Sequence, residues 1–321
     1  MTYCFSSVLA ADFEAYINLC DNAGKCIRNM KIYLSCLDKH LTEHSITDKN
    51  ISEAVLSAWL ASKDVKAATK ANRLNIVRGF GRYMLSLGYF IEIPESPRVV
   101  NSYTPYIFTN DELDLIFSAL DNFEYEKKKT HATVQAPVLF RTIYGCGFRL
   151  GEALLLLWDD VNLEAGTITV HNAKNKKKRI VPISLSLTEI LKSYKQYATQ
   201  HNICRNGLVF ENRQGKAYHI NGVRRWFSFA LEKAGIVYTR QSNRERGPCI
   251  HCLRHTFVIN SFLQADSKGC AFEEVIPFLT EYLGHKDIME TDKYLRASHI
   301  VYKDAHQKVS DYINDIFPEV N

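Results

Sequence analysis

Three short stretches carry side chains suited to phosphate chemistry. One reads Leu283-Gly284-His285-Lys286-Asp287, with Tyr294 nine residues after the histidine. A second, at 251–255, reads His-Cys-Leu-Arg-His, and a third, at 149–152, reads Arg-Leu-Gly-Glu. Each alone has an ordinary reading. A tyrosine after a glycine turn is usually core or surface, and an Arg–Glu pair three residues apart is usually a helix ion pair. Together, Arg149, His251, Arg254, His285 and Tyr294 form a set able to cleave a phosphodiester.

Other residues extend the set. Arg149 follows the turn Gly145-Cys146-Gly147 at an expected helix start. There it would grip phosphate bidentately beside exposed helix-start amides. Glu152 shares its helix face and would fix the guanidinium without touching an anionic substrate. The run Lys174-Asn175-Lys176-Lys177-Lys178-Arg179 has five cations in six residues. A hairpin tip of this kind could carry a lysine to a leaving oxygen and protonate it. Lys174 and Lys177 both lie on this tip, and Lys177 and Arg179 are otherwise assigned to DNA contact. His251 can meet Arg254 or His255 on one helix face. Cys249, His251, Cys252 and His255 also look like zinc ligands. Structural zinc sites normally draw separated ligand pairs from different elements, whereas these four lie within seven residues, so zinc is set aside.

The elements that must position these groups are mostly helices. The chain has 321 residues, 46% hydrophobic and 23% charged, a globular composition long enough for two domains. Nine scattered cysteines read as reduced thiols of a cytosolic protein. Asp12 and Glu14 interrupt any export signal, and the longest apolar run, Ala153 to Trp158, is too short for a membrane span, so no membrane partner is expected. The periodicity over residues 1–93 predicts a bundle of four helices, with Ser52 capping the third and the fourth running from about Thr69 to Ser86. Lys63, Lys66, Lys70, Arg73, Arg78 and Arg82 give the region of the fourth helix a basic face. It is either solvated surface or a face laid against DNA phosphates.

Pro94, Pro97 and Pro105 mark 94–105 as a linker. Residues 106–321 then form a mixed domain. Thr109 and Glu112 predict a capping box. Helices are expected over Val134–Tyr144, Leu150–Leu157 and Val223–Ala234, and mainly helix from His251 onward. Thr167–His171 and Arg179–Ile183 alternate as a hairpin, and Leu208–Phe210 reads as a further short strand. The net charge of +5 is spread over both parts: residues 1–105 carry 12 basic and 10 acidic side chains, and the rest carry 28 and 25. Neither part is excluded from DNA contact. Val309, Tyr312, Ile313, Ile316 and Phe317 predict one more amphipathic helix, stopped by Pro318.

The motifs together resemble the tyrosine recombinase, or phage-integrase, family over most of 106–296. The resemblance rests on Arg149 with Glu152, on Lys174 followed by basic residues and Val181-Pro182, on His251 with Arg254, and on His285 with Tyr294. It implies a mainly α fold with a small β-hairpin or sheet. A SAM-like helical core-binding domain would span 1–93, and a mixed α+β catalytic domain would span 106–321. It implies a site-specific recombinase that cuts and rejoins double-stranded DNA through a 3′-phosphotyrosine on Tyr294. Arg149, Arg254, His251 and His285 would hold the phosphate and Lys174 would act as general acid, with no cofactor. It further implies a homotetramer on DNA with the C-terminal helix exchanged in trans. Other recombinases or DNA-bending proteins are further candidate partners, and the bacterial cytoplasm or nucleoid is the expected location. Arg254 and His285 are 31 positions apart, a long spacing that resembles a transposon-borne branch. No arm-binding domain is expected before the bundle. A type IB topoisomerase-like relaxing enzyme and an inactive DNA-binding regulator are the alternatives.

Overall fold

The computed structural model describes residues 4–62, 64–99, 105–123, 131–171, 178–238 and 247–285. Lys63, residues 100–104 of the expected linker, Lys174, Lys177, Tyr294 and the stripe from Val309 to Phe317 lie outside these residues. The chain divides into two compact units, Met1–Ser102 and Tyr103–Asn321.

In the first unit, apolar residues at helical spacing build α1 (Ala10–Asn22), α2 (Arg28–Glu43), α3 (Glu53–Ala61) and α4 (Ala67–Ser86). Phe13, Leu34, Leu37, Trp59, Leu74, Val77, Phe80 and Met84 meet in one core. Ser52 stands at the N-cap of α3 with extended backbone, yet its side chain makes no capping bond. The Glu53 amide is instead satisfied by the Glu92 carboxylate at 3.0 Å, a long-range substitute for a local cap.

The basic face of α4 requires one correction. Arg73 does not join it: the residue is 6% exposed, with its guanidinium over the rings of Trp59 and Tyr33 at 5.4 and 6.0 Å. The reason is positional. Arg73, Val77, Phe80 and Met84 fall at i, i+4, i+7 and i+11, which is the buried stripe of α4. A planar, weakly hydrated guanidinium against aromatic faces is the cation most easily kept there. Lys66 and Arg82 are exposed and Lys70 is half-buried. Arg78 donates to Asn75 Oδ1 and Ser96 Oγ.

The second unit contains α5 (Asn110–Asp121), α6 (His131–Gly145), α7 (Leu150–Leu154), β1 (Val161–Asn162), β2 (Thr167–His171), β3 (Lys178–Pro182), α8 (Leu185–Gln200), α9 (Ile220–Lys233), α10 (Ile250–Ser267) and α11 (Phe272–Leu283). The Thr109–Glu112 capping box is formed, with both reciprocal bonds in place. The strands make one antiparallel sheet in the order β1-β2-β3, with Val170 opposite Arg179 and Ile168 opposite Val181. The chain is thus mainly helical with a small sheet.

Three details differ from the expectation. Helix α7 stops at Leu154, because Leu156 and Trp158 turn to pair with the segment at 207–209. The Leu208–Phe210 segment forms a single bridge, Leu157 to Leu208, in place of a strand. Helix α8 is additional to the expected elements, although Leu187, Leu191, Tyr194 and Ala198 lie at helical spacing on its buried face. Ser184 caps it, accepting the Leu187 amide at 3.2 Å.

Candidate active site

The site is assembled at the C-terminal end of α11. Like every helix end, it leaves carbonyls without intrahelical partners and carries partial negative charge. Here arginines from separate elements satisfy them. Arg254 on α10 donates through Nη2 to the Leu283 carbonyl at 2.9 Å, and Arg179 on β3 donates through Nε to the Tyr282 carbonyl at 2.8 Å. Arg149, at the N-cap of α7, approaches the Leu283 carbonyl at 3.5 Å. Gly284 then ends the helix in the left-handed conformation at φ 62°, a cap that glycine adopts without Cβ strain. The turn aims His285 back at the arginines.

A single carboxylate holds the cations together. Glu152 accepts from the Arg149 amide at 2.9 Å and from its Nη1 at 3.1 Å. Arg179 grips the same carboxylate bidentately at 3.2 and 3.0 Å, and Arg254 Nη1 lies 3.9 Å from it. Burial acts to raise the Glu152 pKa. The hydrogen bonds and charge of Arg179, then those of Arg149, outweigh it and hold the carboxyl below its ordinary value. Glu152 is therefore ionised at neutral pH. Three guanidiniums around one carboxylate leave a surplus of positive charge, the balance an anionic phosphate needs.

Arg254 is 1% exposed, and both terminal nitrogens are engaged: Nη1 donates to the Gly147 carbonyl at 2.6 Å, and Nη2 also reaches His285 Nε2 at 2.9 Å. Because arginine can only donate, His285 Nε2 accepts, and the neutral ring carries its proton on Nδ1. Burial first, then the charges of Arg254, Arg149 and Arg179, push the His285 pKa down to about 3, so the ring is neutral at neutral pH. Gly147, at φ 58°, belongs to this arrangement as well. A Cβ there would meet Phe257 Cδ1 at 2.6 Å and Leu283 Cδ2 at 3.0 Å, so only glycine brings its carbonyl this close to Arg254.

The structure thus brings Arg149, Glu152, Arg254 and His285 together. His251 lies exposed in the first turn of α10, its ring edge-on to His255 at 4.5 Å. Cys249 and Cys252 have their sulfurs 3.6 Å apart, and among the described residues no group of three or more His, Cys, Asp or Glu is arranged to hold a metal. The helix-start amides expected to assist Arg149 are partly used, since Glu152 takes the first of them.

Arg179 is the residue whose place the sequence obscures. Its position in a cationic run assigns it to DNA contact, but it is 8% exposed and points into the site. The strand alternation carries the signal. Val181 faces the core, so Arg179, two residues away, must share its face. The surrounding cations mask that inference.

Residues 107–299 match the model of the phage integrase family, so the chain belongs to that family, whose members cut and rejoin DNA strands. Tyrosine recombinase XerD of Listeria monocytogenes (serotype 4b, strain F2365) is 24% identical over 291 residues, covering 88% of this chain and 89% of the relative. The fold is shared with a lambda integrase tetramer bound to a Holliday junction, at TM-score 0.64 and 18% identity over 89% of this chain and 76% of that one. It is also shared with the Tn1549 transposon integrase in complex with transposon right end DNA, at TM-score 0.61 and 14% identity over 88% and 94%. Among the described residues, no helix is long and apolar enough to cross a membrane.

Proposed function

We propose that this chain is a site-specific DNA recombinase that acts through a covalent tyrosine intermediate. The observation that carries the reading is the convergence of Arg149, Arg254 and His285 on one helix end, around the single carboxylate of Glu152. In the proposed reaction the Tyr294 oxygen attacks a DNA phosphorus and passes its proton to the His251 imidazole. The bond to the 5′ oxygen breaks, leaving a 3′-phosphotyrosine, and Lys174 protonates the departing oxygen. Attack by the 5′-hydroxyl of another strand reverses these steps and reseals the backbone, so no external energy source is consumed. Arg149 and Arg254 stabilise the charge of the pentacoordinate phosphate, and His251 and His285 bond its oxygens. A suicide substrate nicked beside the cleavage site tests the reading. Recombinant joints and an SDS-resistant adduct are expected, whereas relaxation alone would indicate a topoisomerase-like enzyme and binding alone an inactive regulator.

The general acid is open to a direct test. Lys174→Ala should slow cleavage by about 10²–10⁴-fold. A substrate with a 5′-thiol leaving group, which needs little protonation, should restore the rate. Rescue of Lys177→Ala but not of Lys174→Ala would transfer the role to Lys177.

The bundle of 1–93, the linker 94–105 and the catalytic domain 106–321 are taken to act together on DNA, with Lys66, Lys70 and Arg82 supplying phosphate contacts. Replacing these three by glutamine should reduce the log–log salt slope of binding by about 0.9 for each phosphate no longer neutralised. An unchanged slope would make this face ordinary solvated surface.

The assembled state is taken as a homotetramer on two duplexes, with the helix at 309–317 exchanged between neighbours, in the bacterial cytoplasm. Support comes from the tetrameric lambda integrase of the same fold. The biological event is taken as integration, excision or transposition of a mobile element, in line with the transposon integrase of this fold. In a native gel, deletion of 308–321 should remove the synaptic complex and spare single-site binding. A synaptic complex that survives the deletion refutes the exchange.

A further inference from the structure

Arg179 is tied into the site more closely than its place in a basic run would require. Both terminal nitrogens bind Glu152 and Nε binds the Tyr282 carbonyl, so every donor-bearing nitrogen of the guanidinium is engaged. The side chain is also packed tightly from the other side. A Cβ on Gly284 would come within 2.8 Å of Arg179 Nη1 and 3.1 Å of Cζ, so the left-handed turn that delivers His285 is seated directly on this guanidinium. The residue therefore touches the carboxylate that fixes Arg149, the last turn of the helix that Arg254 caps, and the turn before His285. Its three nitrogens are already bonded inside the site, to Glu152 and to the Tyr282 carbonyl.

We propose that Arg179 is a positioning residue for strand cleavage. By tying β3 to Glu152 and to the C-terminus of α11, it holds Arg149, Arg254 and His285 in one mutual geometry. This inference rests on the recombinase reading. Physically, the fork geometry of arginine is what the task requires. A bidentate pair fixes the carboxylate in orientation as well as distance, and the remaining Nε fixes the helix end. A lysine could supply the charge but only one of the three directions.

A role through Glu152 has a signature of its own. The carboxylate is faced by Arg149 from its own helix start, Arg179 from β3, Arg254 from α10 and His285 beyond α11. Burial raises its pKa, and Arg179 contributes the largest opposing effect. Without Arg179 the carboxyl protonates at higher pH. The acid side of the cleavage profile should then move upward, because a protonated Glu152 no longer orders the arginines.

The test uses the full-length chain and the suicide DNA substrate, comparing wild type with Arg179→Gln, Arg179→Lys and the double variant Glu152→Gln/Arg179→Gln. Arg179→Gln should bind DNA within about threefold of wild type with an unchanged salt slope, since the side chain neutralises no phosphate. It should cleave about 10–100-fold more slowly, a usual effect of removing a group that orients a reactive one. Its acid limb should shift to higher pH, Arg179→Lys should recover part of the rate, and the double variant should be at least as slow as Arg179→Gln and lack the Glu152 limb in its pH profile. The double variant buries no unpaired carboxylate, so it keeps the comparison valid if Arg179→Gln folds poorly. A salt slope reduced by about 0.9 would instead make Arg179 a DNA ligand. A rate that falls only with the folded fraction, with no shift in the pH profile, would reduce Arg179 to a structural ion pair. Wild-type activity in Arg179→Gln also overturns the proposal. A wild-type chain that forms no adduct overturns the recombinase reading, and this inference with it.

Discussion

Tyr294→Phe should abolish the covalent protein–DNA adduct while leaving DNA affinity within a few-fold of wild type. The phenol oxygen is the proposed nucleophile, and phenylalanine keeps the ring while deleting that atom. Tyr282, the next candidate, is engaged elsewhere. Its hydroxyl donates to the Pro182 carbonyl at 3.1 Å, and its ring stacks on Phe257 at 5.5 Å. Burial raises its pKa above the usual tyrosine value, which disfavours the phenolate. The measurement is an SDS gel of each variant with the suicide substrate. An adduct that persists in Tyr294→Phe and disappears in Tyr282→Phe would move the nucleophile to Tyr282.

Arg254→Lys should be nearly as damaging to cleavage, although it preserves the charge. The guanidinium reaches the Gly147 carbonyl, the Leu283 carbonyl and His285 at once, joining α10 to the turn before α7 and to the end of α11. A lysine ammonium on a flexible stem cannot span those acceptors and also face a phosphate. Losing one preorganised donor to a transition-state oxyanion costs about 10²–10³ in rate, and that range is expected for single-turnover cleavage. Stability should fall too. A buried carbonyl left without its donor costs about 1–3 kcal/mol, and Lys cannot serve both carbonyls. Single-turnover rates and thermal melting on the same preparation separate the two effects. Cleavage within tenfold of wild type would remove Arg254 from the transition-state contacts.

The helical framework is legible in the sequence because its signals are local. The stripe Leu74, Val77, Phe80 and Met84 places α4, and Thr109 with Glu112 places the start of α5 by a capping box that the structure forms. What local signals miss is competition from elsewhere in the chain. Ser52 is a credible cap, but Glu92, distant in sequence, takes the amide. The run Leu150–Leu157 looks continuously helical, but pairing with the segment near Leu208 pulls Leu156 and Leu157 out of α7.

The sequence by itself determined the chemical inventory and its order: an arginine before a carboxylate, a cationic hairpin, a His-x-x-Arg box and a histidine nine residues ahead of a tyrosine. Residue type and spacing suffice there, because a guanidinium, an imidazole and a phenol each have a fixed repertoire. Only the tertiary structure decided which cations belong to the site. Arg73 and Arg179 both sit in basic stretches and both turn inward, one onto Trp59 and one onto Glu152. Their direction depends on partners far away in the chain, an aromatic core for the first and a carboxylate with a helix end for the second. The cost of burying a charge is met only where such partners already stand, and that is a property of the folded unit.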